Sequence, residues 1–502
     1  MNKRLNQIIM IIGVILLGIV FLENLLFTSV LSDDINEHVN IIFLGVFNIF
    51  ITILLSTGIY VICKKLDILN INKKIKIVLL ALFIIVYIVA QILWINNRNL
   101  TPVGDQLSAY QAAQTLYESN GENLANSGYM ERYPQQITLS YVWSIIFKIC
   151  STSSFKVIQY MNAIFNAISI IAILLIIEQL SKKYKTNKWL GIALIGTFIS
   201  LPLLSTFVYG DFSGLGLSLL SIYFIMKYGE TEKIRFIILS AAVMAISYIL
   251  RMNNLIFIIA IFIYLFLELI KKKRNAKEIL IKITLIASFI LITILPAQVI
   301  KQYITNKFSL NLDNAIPTTC FLYMGMTDGY RQSGWYNDNG AWAWDNPADE
   351  ANEMYKVAIK DRVKFLATNP LELIKFYFNK TTSMWSENTY ASIWYNSSFN
   401  IGEENKNLQK DEWIISKKDN IAMYQKALIL IIFGASIVVL IQNRKKLSNE
   451  LILLVTIFIG GFLFHVMWEA KSRYIIPYII VLIPVATICI NKIQLKFKRK
   501  EG

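Results

Sequence analysis

Charge is scarce in this chain. Only 16% of its 502 residues are Asp, Glu, Lys or Arg, where a soluble domain carries about a quarter. A soluble enzyme of this length is therefore excluded. Histidine and cysteine are scarcer still. The two His (His38, His465) and four Cys (Cys63, Cys150, Cys320, Cys489) stand apart in sequence. They supply neither the spacing of a zinc site nor a disulfide framework. There is also no internal repeat and no pair of Gly/Pro-interrupted spans, which argues against a secondary transporter.

Apolar residues fill the space that charge leaves. They make up 55% of the chain, and the mean hydropathy is +0.51. Apolar runs recur from end to end, and a transmembrane helix needs about 20 such residues. The sequence predicts an all-α, polytopic membrane protein of twelve spans. They lie at about 7–29, 39–62, 77–95, 156–180, 189–208, 212–227, 236–250, 255–270, 281–300, 425–442, 449–465 and 474–492. The first run, IIMIIGVILLGIVFLENLLF (8–27), is too long for a signal-peptide core and is read as a retained span.

The net charge of +16 would point to nucleic acid in a soluble protein. Here the basic residues cluster in short loops: 63–76, 181–188, 227–235, 271–277, 443–446 and the tail 496–500. That is the positive-inside pattern, so nucleic acid is not an expected partner. With these loops and both termini cytoplasmic, the intervening loops fall outside a multi-pass plasma-membrane protein. The scheme requires ITLSYVWSIIFKIC (137–150) to be a half-inserted helix, as its 14 residues are short for a span. Three regions follow. Residues 1–300 form a transmembrane module with an outer loop at 96–155. Residues 301–424 form an extracytoplasmic loop domain with six of the ten Trp. Residues 425–502 are the C-terminal transmembrane helices. Within the loop domain, NPLELIKFYFNKTTSMW reads as an amphipathic helix on the membrane surface.

Ionisable groups at membrane depth are costly and mark function. In this topology they converge on the outer face. They are Asp105 in TPVGDQ, Glu131 and Arg132 in GYMERYP, Asp211 in YGDF, Arg251 in ILRMNN, and Glu469, Lys471 and Arg473 in WEAKSRY. A carboxylate there suits a general base toward a hydroxyl or amine. Arginines suit a phosphate, and aromatic rings suit the C–H face of a sugar. The set points to group transfer from a lipid-phosphate-linked donor.

These stretches, in this order and on a common side, resemble the GT-C superfamily of polytopic glycosyltransferases. The branch they resemble uses polyprenyl-phosphate sugars and includes the protein O-mannosyltransferases and aminoarabinose transferases. Asp105 matches an acidic residue that follows an early span. YMERYP (129–134) is similar to a Tyr-x-Glu-Lys/Arg-x-Pro element, with one residue inserted before Pro134, and Asp211 matches an Asp at the outer end of a later helix. The resemblance runs from about 75 to 492 and leaves out the first two spans. It implies inverting sugar transfer to a cell-envelope acceptor. Asp105, Glu131 and Asp211 would be catalytic, and Tyr129, Arg132, Arg251, Glu469 and Arg473 would bind substrate. With no Asp-x-Asp in the outer loops at 96–155 and 304–424, no cofactor is required and metal-independent chemistry is expected, a bound divalent cation being the alternative. Two other functions fit the same residues: a polysaccharide polymerase or ligase using a lipid diphosphate, and a flippase or transporter of lipid-linked sugar.

Overall fold

The structure is a computed structural model. It describes residues 2–33, 36–68, 72–122, 124–271, 275–397 and 408–489. The basic tail 496–500, residues 490–492 and the middle of the basic loop 271–277 lie outside the described residues.

Among the described residues, ten helices are long and apolar enough to span a bilayer, from Arg4–Leu26 to Asn449–Met467. These account for ten of the twelve predicted spans. The other two take different forms. Ile234–Leu250 is a 17-residue apolar helix, about 25 Å at 1.5 Å per residue. The last segment is broken into a 3-10 turn and the short helices Ile476–Ile480 and Ile483–Ala486. Pro477 and Pro484 open the two short helices and cannot donate into a continuous ladder. The segment nevertheless traverses the bundle, because Arg473 lies at one end and Ile488 bridges Thr186 at the other.

Two groups of loops collect at opposite ends. At one end Lys182 pairs with Glu230, Lys183 with Glu450 and Lys282 with Glu232, so the basic loops share a side. At the other end lie the loops that carry the predicted site. The helix Ile137–Cys150 remains at this second end. Its first turn meets the end of Ile234–Leu250 through Thr138 Oγ1 and Ile249 O (2.9 Å). Its exit at Ser153 accepts a bond from Tyr110 in Asp105–Glu118. Trp143 and Phe147 are buried while Ile149 is exposed, the pattern of a helix lying in an interface.

The first connection differs from expectation. Spans predicted to end at 29 and begin at 39 are joined instead by an antiparallel β-hairpin, Phe27–Leu31 with Val39–Phe43, in register Phe27↔Phe43. The second helix starts only at Val46. The runs FTSVL and VNIIF are apolar enough to extend a hydropathy window, yet rich in β-branched and aromatic residues that favour strands.

The helix Pro370–Trp385 does not lie wholly on a surface. Its last six residues, Lys380–Trp385, are buried, and Trp385 packs on Phe433, Phe458 and Phe462 of two spanning helices. The non-helical stretch that follows is buried too, and its backbone is satisfied by side chains. The Glu387 carboxylate accepts from Thr389 N (3.0 Å) and Ala391 N (2.7 Å), while Gln425 donates to Asn388 O. Irregular backbone among membrane helices is tolerated only when it is satisfied in this way.

Candidate active site

A cavity of about 780 Å³ opens at the end of the bundle opposite the basic loops. Distant segments build its walls. The hairpin supplies Glu37, and the start of Asp105–Glu118 supplies Asp105. Phe207 and Tyr209 precede the helix Asp211–Thr231. The long 310–397 region gives Arg331, Tyr336, Trp344, Trp394 and Tyr395, and the last turn gives Glu469, Lys471, Arg473 and Tyr474.

Asp105 opens its helix directly after Gly104, whose φ of +55° is costly for any residue with a Cβ. Its carboxylate is exposed to the cavity and makes no salt bridge or side-chain hydrogen bond among the described residues.

The cations facing it fall into two kinds. Arg473 has no carboxylate partner among the described residues. It donates to the Tyr395 hydroxyl, its Nε is buried without a partner, and its guanidinium lies 4.7–5.2 Å from the rings of Phe207, Tyr395 and Tyr474. Lys471 and Arg331 are instead held by one acid. The Glu37 carboxylate accepts from Lys471 Nζ at 2.7 Å and from Arg331 Nη1 at 3.2 Å. Burial pushes the Glu37 carboxyl up, but Lys471, Arg331 and Arg473 outweigh it and hold it below the usual range. Burial likewise lowers the Lys471 ammonium, and Glu37 more than reverses that. Glu37 has φ +52°, a left-handed backbone that costs energy in a non-glycine residue and clusters at functional sites.

Glu469 is governed by burial, which raises its carboxyl above the usual range despite Lys471 and Arg473, with Asp105 adding to the rise. Asp105 and Glu469 thus face the cavity in different environments, the first exposed and unpaired among the described residues, the second inclined to keep its proton. The turn that carries Glu469 is fixed from behind by the buried Lys380, whose Nζ donates to Val466 O (3.0 Å), Trp468 O (2.8 Å) and Gly325 O.

Of the residues predicted from sequence, Asp105, Glu469 and Arg473 line the cavity. Asp211 and Arg251 form a pair at 3.4 Å one layer behind it, with Arg251 against the rings of Tyr209 and Tyr474 that face the space. Gly210 permits this placement, since a Cβ there would fall 1.9 Å from Leu250 O. The GYMERYP stretch is not brought to the wall as charge. Glu131 accepts from Asn311 N at 2.7 Å. Arg132 donates to the Ala343 and Trp344 carbonyls and lies 4.2 Å over the Trp344 ring. Tyr129 is buried beside Tyr133 (4.9 Å), which lines the cavity. The stretch fastens loop 96–155 to the 311–344 segment and acts on the cavity through Trp344 and Tyr133.

Sequence reasoning did not single out Glu37 or Arg331, and it placed Lys471 on the outer face without giving it a substrate role. Lys471 lay inside WEAKSRY and Glu37 in a loop assigned to the same side. The available signal is sidedness: 31–38 lies on the same side as WEAKSRY.

The family model described as "conserved hypothetical integral membrane protein" matches residues 1–494, and the chain belongs to that family. No curated protein matches it. Among solved structures it is similar to the Archaeoglobus fulgidus oligosaccharyltransferase, crystallised with a tethered acceptor peptide containing an NVT sequon. The identity is 11% and the TM-score 0.34, over 70% of this chain and 40% of that one. The chain therefore spans less than half the length of the structure it matches.

Proposed function

We propose that this integral membrane protein is a glycosyltransferase that moves a sugar from a polyprenyl-phosphate donor to a cell-envelope acceptor. The cavity would face the extracytoplasmic side of the plasma membrane, since the basic loops gather at the opposite end. One observation carries the reading. A carboxylate, Asp105, and a guanidinium, Arg473, neither with an ion-pair partner among the described residues, share one cavity with Trp344, Trp394, Tyr336 and Tyr395. The order and side of the sequence motifs agree with it.

The acceptor's oxygen or nitrogen attacks the anomeric carbon from the face opposite the lipid phosphate. Its proton passes to Asp105 as general base. The bond between the anomeric carbon and the phosphate oxygen breaks, and the electron pair leaves with the phosphate. Arg473 and Lys471 stabilise that developing charge from fixed positions in the cavity wall. Glu469, inclined to stay protonated, donates to a sugar hydroxyl. Arg251 and Asp211 position Tyr209 and Tyr474, and Arg132 positions Trp344.

The test is turnover by purified protein in lipid with a panel of synthetic polyprenyl-phosphate sugars. Wild type should consume at least one donor. Asp105→Asn should bind it and turn over about 10²–10⁴-fold more slowly, and Arg473→Ala should bind it weakly. If no donor is consumed while labelled lipid crosses the bilayer equally in wild type and Asp105→Asn, a flippase replaces the enzyme.

A further inference from the structure

A second cavity, about 340 Å³, lies between the β-hairpin, the first turns of Val46–Ile68 and the start of Lys418–Gln442. It shares no lining residue with the larger one. We infer that it holds the phosphate of an anionic phospholipid headgroup.

The ammonium of Lys426, 3% exposed, forms part of its wall. It donates to Asn24 O at 3.1 Å and to Phe27 O, and has no carboxylate partner among the described residues. An ammonium buried without a counter-charge is costly, and an anion in the cavity removes that cost. Glu387 and Asp419 also line the cavity, beside Lys418, but no acid pairs with Lys426 among the described residues. Glu387 is engaged by Thr389, Ala391 and Ser472. Asp33 is engaged by Lys418 at 2.6 Å, and Asp419 is exposed at the rim. The exposed amide of Asn48 makes no hydrogen bond among the described residues. It stands on a helix whose neighbouring Val46, Phe47 and Phe50 are 84%, 72% and 61% exposed. Those side chains belong in acyl chains, so the cavity adjoins the lipid that would supply its ligand. Glu387 also accepts from Ser472 Oγ at 2.7 Å. Ser472 separates Lys471 from Arg473, so an occupied headgroup site touches the same turn that shapes the larger cavity.

Native mass spectrometry of the full-length protein in neutral detergent tests this with phosphatidylglycerol, phosphatidylcholine and glycerol 3-phosphate. Wild type should retain one phosphatidylglycerol in preference to phosphatidylcholine. Lys426→Met should reduce that retention at least tenfold. Asn48→Glu, which adds a carboxylate at the rim without disturbing buried packing, should do the same, and it decides alone if Lys426→Met does not fold. Equal retention of the two lipids by wild type overturns the inference, as does undiminished retention in Asn48→Glu. Binding of glycerol 3-phosphate without phosphatidylglycerol assigns the site to a free phosphate ester, and the lipid reading fails.

Discussion

Replacing Glu37 by Gln removes one negative charge that serves two cations from distant segments. Its oxygens lie 2.7 Å from Lys471 Nζ and 3.2 Å from Arg331 Nη1, and the three side chains are only 8%, 15% and 15% exposed. Removing one partner of a buried pair costs about 3–5 kcal/mol, because the charge left behind stays buried. The neighbouring cavity admits water, so the lower end is expected, about 3 kcal/mol. Unfolding in mixed micelles with added SDS would measure it. Removing the stranded charges together with the acid, as Glu37→Gln with Lys471→Met and Arg331→Met, should recover most of the loss. The pH dependence has a definite sign. The folded Glu37 carboxyl titrates below its ordinary 4.5. Its contribution is therefore complete above 4.5 and fades as pH falls through the lower folded value. Wild type and variant should converge in acid. A variant within about 0.5 kcal/mol of wild type at neutral pH, or a gap that persists in acid, refutes the reasoning.

Three further outcomes follow from the same geometry. Arg132→Ala should lose about 1–3 kcal/mol in an unfolding titration, and Arg132→Lys should not restore it, since a lysine cannot reproduce the planar fork stacked on Trp344. Burial raises the folded Glu469 carboxyl above its ordinary 4.5, so its ionisation in the unfolded chain lowers stability as pH rises above 4.5; the unfolding free energy of wild type minus that of Glu469→Gln should fall as pH rises from 4.5, and a difference that stays flat refutes it. Asp211→Asn strands Arg251, whose side chain is 14% exposed. It should cost about 3 kcal/mol, most of it recovered by Asp211→Leu with Arg251→Met in the same titration.

Hydrophobic runs and loop charge were enough to establish a multi-pass helical bundle, because a bilayer demands about 20 apolar residues per crossing whatever the neighbours are. Sidedness was legible for the same reason: Asp105, Glu469 and Arg473 could be assigned to one end by counting crossings. What hydropathy cannot register is shape within an apolar run. It merged the hairpin Phe27–Phe43 into two spans and did not show that Trp385 enters the bundle. Nor can sequence distance reveal which charges meet. Glu37 and Lys471 are 434 positions apart and 2.7 Å apart in space, and Arg132, a phosphate ligand by its type, is taken up by two carbonyls and a Trp ring. Which end of the bundle carries the site came from the composition of each segment alone. Which of its charges are free to act came only from packing, because a charge is free or engaged according to what tertiary contacts bring within about 4 Å of it.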